Sequence, residues 1–202
     1  MKIALIGASG NAGSRVLIEL SQRGHQVTAI ARDPSRVPVA TGVSTAAVDI
    51  ADVPKLMEVL RCHEVVISSV HFTASDPDKL IAAVEGAGVR RYFVVGGAGS
   101  LEVAPGQLLV NTPNFPAQYR DEALGGAVFL EKLRRNNKLE WTFLSPSALF
   151  TAGERTGNFR LGTDQLLTNE NGSSISFEDY AIAVADEIEQ PRHVRKRFTV
   201  GY

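Results

Sequence analysis

Seven residues near the start of the chain, Gly7-Ala8-Ser9-Gly10-Asn11-Ala12-Gly13, are spaced to cradle a phosphate. Glycine at the first position permits a tight turn. At the second, a missing Cβ lets backbone N–H groups reach a pyrophosphate, and at the third it lets a helix pack close on a strand. Such a turn carries chemistry only between a strand and a helix. Lys2-Ile3-Ala4-Leu5-Ile6 before it is an apolar run that reads as a buried strand, and Ser14–Leu20 after it takes up helical spacing. Phosphates would then meet the helix N-terminus, where unpaired N–H groups and the dipole favour negative charge. The spacing is G-x-x-G-x-x-G rather than G-x-G-x-x-G, and the competing reading is a merely tight turn. The expected contacts are Gly7, Ser9, Gly10, Asn11, Ala12 and Gly13.

A second strand, Gln26–Ala31, runs into Arg32-Asp33-Pro34-Ser35-Arg36. Sites for NAD usually place an acid about 20 residues past the glycine turn, to hold the ribose hydroxyls. Arg32 stands where that acid is expected. A guanidinium pairs bidentately with a 2′-phosphate, and Arg36 adds charge. NADP(H) is therefore favoured over NAD(H). Two alternatives stay open: Asp33 reaching the ribose while Arg32 stacks on adenine, or a surface ion pair. Asp49 and Ile50, after a third strand, are expected at the adenine edge.

Chemistry would sit where further strands end. Ser68-Ser69-Val70-His71 closes the fourth strand, Gly96-Gly97-Ala98-Gly99-Ser100 the fifth, and Ser145-Pro146-Ser147 the sixth. Ser69, Val70, His71, Gly97 and Pro146 are expected around the nicotinamide, because small residues let a flat ring approach the backbone. The serines serve equally as caps and turn-makers. His71 fits a proton donor near neutral pH or a plain wall residue. No cluster suggests a metal site.

The elements that must position these residues alternate. Strands at Lys2–Ile6, Gln26–Ala31, about Ser44–Val48, Glu64–Val70 and Arg91–Val95 are separated by helices at Ala12–Arg23, Val53–Leu60 and Pro77–Ala87. That pattern predicts one α/β domain over residues 1–202, a Rossmann-type doubly wound parallel sheet in the order 3-2-1-4-5 with later strands beside the fifth. The last third is less regular. A helix is expected over Ala117–Asn136, a strand over Glu140–Leu144, turns with a short hairpin in Thr151–Asn171, a helix over Phe177–Glu189 capped by Ser176, and a closing strand over Arg197–Val200. The irregular segments, about 97–117 and 146–175, are expected to wall a substrate pocket.

A formal charge of −1 gives no global pull toward nucleic acid or anionic membrane. Arg192, Arg195, Lys196 and Arg197 form a basic cluster read as solvated surface. Cys62 is the single cysteine, so no intrachain disulfide forms, which agrees with a reducing cytosol. The Met1 segment lacks a basic region with a cleavage site, and no apolar run approaches the roughly 20 residues that span a bilayer. The expectation is a cytoplasmic monomer or homodimer that acts on a small molecule, with neither nucleic acid nor membrane as partner.

Over nearly its whole length the chain resembles the atypical short-chain dehydrogenase/reductases of the NADH-flavin reductase group, relatives of the biliverdin-IXβ/flavin reductases. The resemblance lies in the glycine turn, in Val95–Leu101 and Trp141–Ser147, and in Gly153-Glu154-Arg155-Thr156-Gly157. Arg160-Leu161-Gly162, Asp179-Tyr180-Ala181 and Arg197–Val200 continue it. It implies an NAD(P)H fold and reduction of a flavin or similar flat acceptor, with FMN or FAD as substrate rather than prosthetic group. One departure matters. Ordinary short-chain dehydrogenases use Tyr and Lys four apart on a helix; here Gly96, Ala123 and Val184 stand four after Tyr92, Tyr119 and Tyr180. A flavin stabilises its own anion, so stacking and orientation suffice. Ser100 and His71 are then candidates to polarise or protonate the acceptor, and Tyr119 to line the pocket. Ser147, Phe150 and Arg155 are candidates for its substrate side; Arg155 pairing with Glu154 or Glu178 is the alternative. A non-catalytic dinucleotide sensor, or an isomerase or dehydratase with a tightly held cofactor, are the other function classes.

Overall fold

The computed structural model describes all residues 1–202. In chain order its elements are β1 (Lys2–Ile6), α1 (Asn11–Gln22), β2 (Gln26–Ala31), β3 (Val43–Ala47), α2 (Val53–Leu60), β4 (Val65–Ser68), α3 (Pro77–Gly86) and β5 (Arg91–Val95). Then come β6 (Glu102–Ala104), β7 (Gln107–Leu108), α4 (Arg120–Arg135), β8 (Glu140–Pro146), β9 (Leu149–Thr151), β10 (Arg160–Gly162), β11 (Ser174–Ser176), α5 (Phe177–Glu189) and β12 (Lys196–Gly201).

The first strand shows why the core has two halves. Ile3 and Leu5 pack with α1 and α5 on one face, while Ala4 and Ile6 pack with α2, α3 and α4 on the other; all four are buried. Side chains alternate across a strand, so an uninterrupted apolar run suits a strand covered on both faces. The eight-stranded sheet has the order β10-β12-β8-β5-β4-β1-β2-β3, which agrees with the expected arrangement. Every pairing in it is parallel except β10 with β12. No helix is long and apolar enough to cross a membrane.

Side-chain caps start three of the helices. Asp52 accepts from Lys55 N–H, Asp76 from Asp78 and Lys79 N–H, and Ser176 from Asp179 N–H. The irregular third departs from expectation in three places. Ala117–Tyr119 is a 3₁₀ turn, and α4 begins only at Arg120. No hairpin forms within 151–171; β10 instead pairs antiparallel with β12, and β9 pairs parallel with β11. The basic cluster is not simply solvated. Arg197 is buried and pairs with Asp164, while Arg195 donates to the Asn137 and Leu139 carbonyls, because β12 lies between β8 and β10 and is not an edge.

Helices α1 and α5 are joined by ion pairs. Glu19, nearly buried on α1, accepts from Arg23 (2.9 Å) and from both Nε and Nη2 of Arg155 (2.9 Å each). Arg23 continues to Asp186 (2.7 Å) and Glu189 (2.9 Å) on α5. Burial alone would raise the Glu19 carboxyl, but the two arginines outweigh it and hold it below the usual carboxylate range. A depressed folded value stabilises above the unfolded value, about 4.3, and that stability is lost as pH falls through the folded value. Glu19→Gln should therefore be less stable than wild type at pH 7, with the gap closing as pH drops below about 4.3. Urea unfolding across a pH series checks this; a gap independent of pH would assign the loss to packing.

Candidate functional site

Gly7 has φ +82°, and a Cβ there would lie 2.0 Å from the carbonyl oxygen of Ser69. A Cβ on Gly13 would lie 2.2 Å from the Gly7 carbonyl oxygen. Both glycines are thus demanded by neighbouring backbone. Gly10 differs: its Cβ would meet only Gly7 O at 3.3 Å and Ser69 O at 3.9 Å, and the residue is exposed. A Cβ there asks the Gly7 carbonyl to give by only a few tenths of an ångström, so the chain's own packing constrains this position far less. Gly10 is also the N-cap of α1 and supplies no side-chain cap, unlike the residues that start α2, α3 and α5. The N–H groups of Asn11, Ala12 and Gly13 find no acceptor within the chain. Orphan donors at this open helix start are free to take an acceptor from outside the chain, and the exposed Gly10 admits one; a pyrophosphate fits both features.

At the end of β2, the side chains of Arg32 and Arg36 are exposed and make no hydrogen bond or ion pair. Asp33 is occupied: its Oδ1 accepts from the Ser35 N–H (3.0 Å) and hydroxyl (2.6 Å), capping the turn Pro34–Arg36. Those bonds, that from the Ser35 hydroxyl first, hold its carboxyl below the usual range. Asp49 Oδ1 caps its own turn at Ala51 N–H (2.9 Å), and Ile50 packs on the core beneath.

The end of β4 is the other side of the site. Ser69 N–H donates to Ile6 O (2.8 Å), and Val70 lies against the glycine turn, so Gly7, Ser69 and Val70 come together. Beyond them the chain turns back along α4. Phe72 is set against Phe129 (centroids 5.7 Å, edge-on) and Phe143 (6.1 Å, stacked). Its Cβ and ring edge occupy the space that Cβ atoms on Gly125 and Gly126 would need, each 2.9 Å away, and the ring edge lies 3.6 Å from a Cβ position on Gly97. Glu122, in the first turn of α4, accepts from Phe72 N–H (2.8 Å), Thr73 N–H (3.0 Å) and Thr73 hydroxyl (2.8 Å). His71 is exposed with Nδ1 3.3 Å from Glu122 Oε1. Glu122 and Phe72 escaped the sequence reading; the Gly125-Gly126 pair inside a helix was the available signal.

Several expected substrate residues are used differently. Arg155 pairs with Glu19, not Glu154 or Glu178, and so fastens the 151–159 stretch to α1. Gly153 N–H donates to Glu178 (2.9 Å), and Thr156 hydroxyl (2.6 Å) and Gly157 N–H (2.8 Å) donate to Asp179, so this stretch is strapped onto α5 as well. Ser147 is fully buried and donates to the Val200 carbonyl (3.1 Å), a strut between β8 and β12. Phe150 packs against Phe177 (4.6 Å) and Tyr180 (4.7 Å). The Ser100 hydroxyl and carbonyl both accept from Arg197 (3.3 Å each), and this ties the residue to the Arg197–Asp164 pair. Tyr119 is exposed, and Pro146 is buried at the end of β8.

The glycines make separable predictions. Gly7→Ala should destabilise or unfold the protein, because backbone must move. Gly10→Val should fold with near-normal thermal stability yet lose dinucleotide binding by calorimetry. Near-normal NADPH affinity in Gly10→Val would remove the phosphate site from this turn.

The profile of an NAD(P)H-binding family matches residues 7–191. Three solved structures, each carrying a provisional name, share the fold across the whole chain. An exported protein of Burkholderia pseudomallei is 43% identical, with TM-score 0.89 and 100% of both chains covered. An epimerase of Bacteroides thetaiotaomicron is 37% identical, with TM-score 0.94, covering 100% of this chain and 96% of that one. An NADH-flavin reductase of Streptococcus pneumoniae is 36% identical, with TM-score 0.84 and coverage of 100% and 99%. The chain therefore belongs to the NAD(P)H-binding family, among the atypical short-chain dehydrogenase/reductases.

Proposed function

We propose that this protein is an NAD(P)H-dependent reductase that passes hydride to a flavin or a similarly flat acceptor, with FMN or FAD as substrate. The observation that carries this reading is the uncapped start of α1 beside an open Gly10, facing the Ser69–His71 strand end. The bound dinucleotide supplies the hydride. The chain's own work is to hold the diphosphate on the N–H groups of Asn11–Gly13 and to leave room for a ring over Ser69, Val70 and Gly97. The resemblance to the Streptococcus pneumoniae protein supports the acceptor class. The absence of a Tyr/Lys dyad supports an acceptor that stabilises its own charge. We place the reaction in the cytoplasm, where reduced nicotinamide is maintained.

Arg32 and Arg36, both without a partner, and the engagement of Asp33 by Ser35 support NADP(H) over NAD(H). Removing one charge-assisted pair costs about 1.5–3 kcal/mol, roughly 10- to 150-fold in affinity. Arg32→Ala should weaken NADPH by that factor and leave NADH little changed; equal losses would put Arg32 on the adenine ring instead.

The name of the Bacteroides thetaiotaomicron neighbour favours a second reading, an isomerase whose cofactor is regenerated at each turnover. Steady oxidation of NADPH with added FMN, FAD or a quinone separates the two. Ser69→Trp should abolish that oxidation by filling the ring space, while Ser100→Ala should slow it far less than the 10²–10⁴-fold of general acid–base help. Wild-type protein that binds NADPH but reduces none of these acceptors would overturn the reductase reading.

A further inference from the structure

We infer that Glu122 is a positioning residue for His71: it holds the Nδ1–H of the ring, so that Nε2 is the nitrogen that hands a proton to the reduced acceptor. The acceptor step rests on the reductase reading; the pairing itself does not. Oxygens of one carboxylate meet four groups on three consecutive residues, 71 to 73. Oε1 takes Phe72 N–H at 2.8 Å and faces His71 Nδ1 at 3.3 Å, while Oε2 takes the N–H and hydroxyl of Thr73. Three of these bonds suffice to fix the loop. The fourth is different, because the His71 side chain is 83% exposed and an exposed pair adds little to folding. Its consequence is chemical. Burial alone would raise the Glu122 carboxyl, but the N–H groups of Thr73 and Phe72, the Thr73 hydroxyl and the nearby His71 hold it below the usual range. A carboxylate only accepts, so the hydrogen in that contact belongs to Nδ1. The neutral ring then keeps its lone pair on Nε2, and the charged ring has Nε2–H as its transferable proton.

The location gives this consequence a use. His71 follows Ser69 and Val70, which lie against the glycine turn, and α4 has no Tyr/Lys dyad. Hydride arrival leaves the acceptor with an extra electron pair and one proton short. The Nε2–H bond breaks, its electron pair stays on Nε2, and the proton bonds to the acceptor's anionic atom. The ring remains in the Nδ1–H form that Glu122 holds, and solvent returns a proton to Nε2.

Imidazole nitrogen NMR tests the pairing without cofactor or substrate, with His71→Gln assigning the signal among the four histidines. The neutral His71 ring of the wild type should show the Nδ1–H tautomer, and Glu122→Gln should move it toward Nε2–H. In the same variant kcat for acceptor reduction should fall about tenfold, below the usual 10²–10⁴-fold of general acid–base help, with KM for NADPH unchanged. Thr73→Val removes one loop bond and should alter neither tautomer nor kcat. A wild-type ring in the Nε2–H form, or a tautomer indifferent to Glu122→Gln, overturns the inference, and the first measurement needs no variant to fold. The expected tautomers in a wild type that reduces nothing support the pairing and overturn the reductase reading alone.

Discussion

Between the turn after β1 and the end of β4 there is no room for a single carbon atom. The Gly7 backbone lies so near the Ser69 carbonyl that a Cβ would overlap it, and α1 lies as near the same turn at Gly13. These approaches follow from the sheet. β1 pairs with β2 on one side and β4 on the other, and Ser69 N–H continues that pairing to Ile6 O. Any side chain at Gly7 would push β4 away or lift the helix. The same contact aims the free N–H groups of α1 at the space above the strand ends, and it sets where Ser69, Val70 and His71 can stand.

The far wall of that space depends on a second close approach. Gly125 and Gly126 lie within α4, where each costs about 0.5–1 kcal/mol relative to alanine. Their missing side chains make the seat of Phe72, whose ring also meets Phe129 and Phe143. Aromatic pairs of this kind add about 0.5–1.5 kcal/mol each beyond their burial, enough to offset the glycines. Glu122 then ties down the backbone N–H groups of Phe72 and Thr73. The loop after β4 is irregular, yet it is fixed to a helix by both packing and charge.

On the opposite face the strap around Gly153–Gly157 links α1 to α5. Asp179 is fully buried and takes the Thr156 hydroxyl, the Gly157 N–H and the Tyr202 hydroxyl (2.8 Å). It also lies in the first turn of α5, where the helix dipole favours a negative charge. Arg155 and Glu19 complete the strap on α1. This stretch looks polar enough for ligand binding when read as residues, but its polar groups are spent on the fold.

The sequence by itself determined what repeats or is local. Alternating apolar runs settle the sheet order, because buried parallel strands leave few topologies; the spacing of Gly7 and Gly13 settles the tight turn from β1 into α1, because the close approach of Gly13 to the Gly7 carbonyl is local. Ser176 settles the start of α5 for the same reason. Tertiary structure alone decided the pairings between distant segments. Glu122 meets residues 71–73 across about fifty positions, and Arg155 meets Glu19 across 136. A charged side chain reads identically in sequence whether it awaits a ligand or a neighbour. Its partner is chosen by how helices pack on the sheet, and that choice left Arg32 unpaired while it closed Arg155, Ser147 and Ser100 into the scaffold.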